Sequence, residues 1–168
     1  MDVFRASERL MGMDDAAWAR HANPLSVWSR VAILPALALA VWSREWIGWW
    51  ALIPVALVIA FIFVNPRLFP PPASTDNWAS KGTFGERVFI ARRKHAIPAH
   101  HERMGLVLSA VSGLFAAVLV YGLVVLDACA TVIGMLGTVA AKLWFVDRMV
   151  WLYEDMRDTM PAYRNWLR

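Results

Sequence analysis

The alternation of apolar and polar positions divides the chain into long uncharged runs separated by short polar breaks. Residues 47–64 form an apolar run of 18 and residues 105–126 one of 22, neither with a charged side chain. A helix crossing the hydrocarbon core of a bilayer needs about 20 residues, so each run predicts one transmembrane helix. Residues 31–42 are too few alone. Starting that helix at Pro24, with Asn23 as N-cap and proline at the first helical position, makes it long enough and leaves Arg30 to reach back toward the interface. A fourth run follows "LDACA" and stays uncharged from 128 to 141, after which Lys142, Asp147 and Arg148 punctuate "LWFV" and "MVWLYEDM". That pattern predicts a helix that leaves the bilayer and continues into water. The expectation is an all-α polytopic membrane protein. It is a single four-helix transmembrane domain over 1–168, with spans near 25–43, 47–64, 105–126 and 128–148 in two hairpins and a hydrophilic segment, 65–103, between them.

The central segment opens with "NPRLFPPPAS", whose prolines disfavour helix and suit an extended path. In "TFGERVFIARRK", Thr83 followed three residues later by Glu86 is a capping-box pattern. As a helix this stretch places Phe84, Val88, Ala91 and His95 on one stripe, with Arg87, Arg92, Arg93 and Lys94 around it. Such a helix suits an anionic leaflet or a partner protein, with Trp78 as an anchor. Phe89 and Ile90 lie off the stripe, so a short strand or loop stays open. Within the third and fourth spans, Ser109, Gly113 and Ala117, and Gly134, Thr138, Gly137 and Ala141, recur at four-residue spacing that lets helices approach closely. Contact between those two helices of one chain is favoured over a dimer face.

Composition agrees with lipid as solvent. The chain is 59% hydrophobic and holds ten tryptophans, the residue of membrane interfaces. Cys129 stands alone, which excludes a disulfide framework and a cysteine metal site. The net charge of +4 is not organised as a nucleic-acid-binding module, so no nucleic acid is expected. Its distribution is the stronger signal: 16 of the 17 Lys and Arg flank the spans on one side, and only Arg44 lies on the other. By the positive-inside rule, both termini and the central segment face the cytoplasm, in a multi-pass protein of the cytoplasmic (inner) membrane. The "ALALA" before "VWS" offers small residues of the kind a signal peptidase cuts, but the mixed-charge stretch before it is longer than a leader's.

Candidate chemistry gathers in "ARRKHAIPAHHERM", which holds three of the four histidines. Pro98 suits the first turn of the third helix, which places His100, His101 and Glu102 where the helix dipole favours neutral imidazoles. With His95 and carboxylates from Asp147, Glu154 and Asp158, which share a face of the fourth helix, or from Glu86, they are the candidate ligands for a divalent metal. Against this, neighbours on a helix point about 100° apart, so both rings would not meet one ion without distortion. The simpler account pairs Asp147 with Arg30 or Lys142 and leaves the histidines as interfacial polar residues. The spans hold almost no ionisable group for a transport path, and no histidine falls inside one to hold a haem. Membrane desaturases and hydroxylases use several histidine-rich boxes, and four histidines are too few for that chemistry.

"NPLSVWSR" (23–30), "NPRLFPPP" (65–72), "TDNWASKGTFGERV" (75–88) and "KLWFVDRMVWLYEDM" (142–156) together resemble a family of small bacterial and archaeal integral membrane proteins with no assigned function. The resemblance covers residues 14–158 and implies a multi-span helical membrane protein, with no catalytic residues to carry over. The function expected is that of a non-enzymatic accessory or interaction subunit, presenting a basic inner face to a partner protein or anionic lipid, within a membrane-protein complex or homo-oligomer. The alternative is a metal-dependent membrane enzyme with a His/carboxylate site at the cytoplasmic surface.

Overall fold

A computed structural model describes residues 13–168, and every regular element among them is helical. In chain order these are α1 (Asp15–His21), α2 (Pro24–Trp42), α3 (Arg44–Ile47), α4 (Leu52–Leu68), α5 (Trp78–Ile90), α6 (Ala99–Val125), α7 (Ala128–Met156) and α8 (Pro161–Arg164), with 3-10 turns at Gly48–Ala51 and Ala91–Arg93. Three segments are long and apolar enough to cross a membrane: Pro24–Leu68, Ala99–Val125 and Ala128–Met156. In their most apolar windows only 6%, 22% and 33% of the residues are buried by protein. The rest of that surface needs another apolar solvent, which a bilayer supplies.

The start of α2 follows the local chemistry of its sequence. The Asn23 side chain accepts from Leu25 N at 2.9 Å, and Pro24 occupies the first helical position, where a missing N–H costs nothing. The 45-residue segment does not run straight. Gly48 adopts φ 55°, a left-handed backbone that suits glycine, and the first residues of the 47–64 run form a turn instead of helix. Trp46, Trp49 and Trp50 stand exposed in that turn. Helix α4 then packs back along α2, and the buried Ser26 hydroxyl and Asn65 side chain bond at 2.8 Å, near the start of one helix and the end of the other.

Only Leu126 and Asp127 separate α6 from α7. Leu126 takes the left-handed conformation and Asp127 caps α7, accepting from Ala130 N at 2.7 Å. Three glycines let the two helices touch. A Cβ on Gly134 would meet Leu119 backbone at 2.3 Å, one on Gly122 the Thr131 backbone at 2.4 Å, and one on Gly137 the Phe115 ring at 2.2 Å. The four-residue spacing thus serves contact within the chain, while Gly113 faces open space. Arg44, at this turn end of the bundle, donates to the Leu123 and Val124 carbonyls at 2.9 and 2.6 Å, completing the C-terminus of α6.

At the opposite end lies the largest core. Phe84, Val88 and Phe89 of α5 pack against Phe145, Met149, Leu152 and Tyr153 of α7, with Tyr163 and Trp166 closing the cluster. The approach is so close that a Cβ on Gly85 would sit 1.8 Å from the Met149 carbonyl oxygen. Helix α5 therefore buries its apolar face on protein and not on a leaflet. It also starts earlier than the Thr83/Glu86 pattern implies. Asn77 is the N-cap, accepting from Ser80 N at 3.0 Å, while the Thr83 hydroxyl donates to Ala79 O at 3.1 Å. That frees Glu86 for a partner on another helix.

Candidate functional site

Arg30 lies on the second turn of α2, Glu86 on the third turn of α5 and Lys142 midway along α7, and the packing of these three helices brings the side chains together. Lys142 Nζ stands 2.5 Å from Glu86 Oε1, and Arg30 Nη1 is 4.0 Å from Glu86 Oε2. Arg30 Nη1 also donates to His21 Nε2 at 2.6 Å. A guanidinium has no acceptor, so His21 is the neutral tautomer with its proton on Nδ1. Burial, with Arg30 beside it, lowers His21 from 6.5 to about 3. Its Nδ1 is buried without a hydrogen-bond partner among the described residues. Burial pushes the Glu86 carboxyl up, but Lys142 and Arg30 outweigh it and hold the group below the usual carboxylate range.

Two cations against one carboxylate leave one positive charge unbalanced. The excess sits at a cavity of about 150 Å³ whose remaining walls are mostly apolar, among them Val27, Val31 and Leu34 of α2 and Val139, Leu143 and Val146 of α7. The Lys142 side chain is 52% exposed and the Glu86 side chain 13%, so the lysine is the group free to meet a second anion. A pocket with apolar walls and a net positive rim is chemically suited to an anionic amphiphile.

The residues singled out as metal ligands separate, and only His100 and His101 stay together. His100 and His101, in the first turn of α6, bring their ring centroids to 4.1 Å despite being neighbours. Their carboxylate is Asp155, 2.8 Å from His101 Nε2, and not a residue selected from the sequence. Glu154 is held by Lys81 at 2.8 Å and Arg157 at 3.0 Å, and Asp147 by Trp78 Nε1 at 3.2 Å and Arg148 at 3.0 Å. Glu102 faces Arg92 at 3.6 Å, and His95 is exposed beyond α5. The simpler pairing of Asp147 with Arg30 or Lys142 is replaced by Glu86 as their shared partner.

The basic surface is likewise engaged in part. Arg87 pairs with Asp15 and lies 4.6 Å from the Trp166 ring centroid, Arg92 covers the Phe89 ring at 4.5 Å, and Trp78 stacks on Trp28 at 5.8 Å. Arg93 and Lys94 are exposed. His21 and Asp155 escaped the sequence reading. His21 precedes the α2 cap and no periodicity marks it, while Asp155 differs from Glu154 only by which neighbour it faces. Arg30 did carry a signal, as an ionisable residue set inside an apolar stretch.

No curated protein and no solved structure matches the chain. A family model does, over residues 5–166, nearly its whole length. The membrane-capable helices, and the sequence blocks that lie on α2, α4, α5 and α7, thus find their counterpart in that model, and the chain belongs to the family of unknown function DUF6653.

Proposed function

We propose that the protein is a non-enzymatic subunit of the cytoplasmic membrane that holds an anionic lipid at its inner face. It crosses four times, as two hairpins formed by α2 with α4 and α6 with α7. Both termini and the segment 65–103 are cytoplasmic. The observation that carries the reading is the Arg30–Glu86–Lys142 cluster at the end of an apolar cavity. At about 1.5 Å per residue, the 29 residues of α7 span about 43 Å, more than the ~30 Å hydrocarbon core. Lys142, 15 residues into α7, lies about 22 Å from Asp127, roughly 8 Å short of the inner edge of that core, a gap its long side chain bridges by reaching toward the headgroups. There the unbalanced charge meets a phosphodiester and the valine and leucine walls meet the upper acyl chain. Exposed tryptophans at both ends, Trp46, Trp49 and Trp50 against Trp28, Trp144 and Trp151, match two interfacial belts.

Native mass spectrometry of the detergent-purified protein with phosphatidylglycerol and phosphatidylcholine tests this. The expected result is one retained phosphatidylglycerol per chain, with preference over phosphatidylcholine reduced about tenfold in Lys142→Gln, equivalent to about 1.4 kcal/mol. Equal retention of the two lipids by the unaltered protein would overturn the reading.

A further inference from the structure

We infer that His100, His101 and Asp155 form a binding site for one divalent transition-metal ion, joining the start of α6 to the end of α7. One donor atom from each residue can be chosen so that all three lie within 4.8 Å of one another. A tetrahedral ion with bonds near 2.1 Å holds its donors about 3.4 Å apart, so from 4.8 Å the set closes by up to about 1.4 Å. The adjustment is available where it is needed. His101 is buried and fixes the site, whereas His100 and Asp155 are exposed and can rotate.

The usual objection to adjacent histidines does not hold at this position. Their ring centroids are already 4.1 Å apart, brought together in the first turn of α6, before the helix is committed on all sides. Among the described residues, no Lys or Arg forms an ion pair with the three groups. Neighbouring carboxylates Glu154 and Asp158 are paired with Lys81, Arg157 or Arg164, but Asp155 has only His101 as an ionic partner among the described residues. The His100 side chain makes no hydrogen bond among them. Two imidazoles and one carboxylate are a donor set for ions of borderline softness such as Zn2+, Co2+ or Ni2+, with water completing the coordination. Seated there, the ion takes the place of the proton shared by His101 and Asp155 and ties together two helix ends that are far apart in sequence. The inference is independent of the lipid cavity, which uses none of these residues.

The test uses the full chain purified in detergent without a histidine tag and stripped with chelator, then titrated with Co2+. Visible d–d absorption reports the ligand geometry, and calorimetry with Zn2+ gives the stoichiometry. One ion per chain is expected. Affinity should fall at least tenfold in His100→Ala and in Asp155→Asn, both exposed positions where folding is insensitive, and should be unchanged in His95→Ala. Unaltered protein that takes up no stoichiometric ion overturns the assignment. So does binding that both His100→Ala and Asp155→Asn leave within threefold of the original.

Discussion

His21 is the residue at which burial has its clearest chemical effect. An imidazole that titrates near 6.5 in the unfolded chain and near 3 when folded takes up its proton on unfolding. The unfolded state therefore binds more protons between those limits, and stability must rise with pH across that window and fall as pH drops through it. Glu86, held below its ordinary range, adds loss in the same direction at lower pH, because its favourable charge disappears on protonation. Thermal unfolding of the detergent-solubilised protein between pH 7 and pH 4 should show a falling midpoint. His21→Gln, which cannot titrate, should flatten the upper part of that slope. An unchanged slope would mean that His21 is solvated and protonated in the folded protein. The cost tolerated here is specific: Nδ1–H is buried without an acceptor among the described residues, a defect of about 1–3 kcal/mol that persists because Nε2 and Arg30 are held together.

Helix α5 shows how far a local pattern carries and where it stops. Its apolar stripe through Phe84 and Val88 was legible, because 3.6-residue periodicity is a property of the segment alone, although Phe89 and Ile90, off that stripe, left a strand or loop open. What covers the stripe was not legible, since a leaflet and a second helix present the same apolar face. The structure places α7 there, and the two glycines that permit the approach, Gly82 and Gly85, are 64 residues from their contacts at Val146 and Met149. The same applies to the candidate site: Glu86 and Lys142 are 56 positions apart, and Arg30 a further 56 before Glu86. Each charge was visible, but the helix packing that makes them one cluster was not. Gly85→Ala should therefore lower stability by about 1–3 kcal/mol or more, by driving its methyl into the Met149 backbone. Gly113→Ala, where nothing lies within 4 Å, should be neutral or slightly stabilising through helix propensity. Equal midpoints for the two variants would show that α5 does not seat on α7 as described.

At the scale of the molecule, the charge split and the fold are two accounts of one arrangement. Among the described residues, Arg30, Arg87, Lys142 and Arg148 lie at the end where α5, α8 and the second half of α7 build a protein core, while the turn end carries exposed tryptophans and Arg44. Reporter fusions after Gly48 or Asp127 are expected to read as periplasmic, and fusions within 69–77 as cytoplasmic. A periplasmic result for the last set would invert the proposed orientation. The long apolar helices were legible because each is a local run. The division of Pro24–Leu68 was misplaced by several residues, because Gly48 and the tryptophans after it read as apolar when only hydropathy is counted.

The connection between α6 and α7 bears on how the protein can be probed from outside. With Leu126 and Asp127 alone joining two long helices, and Asp127 already engaged as a cap, no flexible strand of peptide is offered for an enzyme to cleave. In the proposed orientation, protease applied to intact cells should leave the α6–α7 connection uncut, so that residues 99–168 stay on one polypeptide.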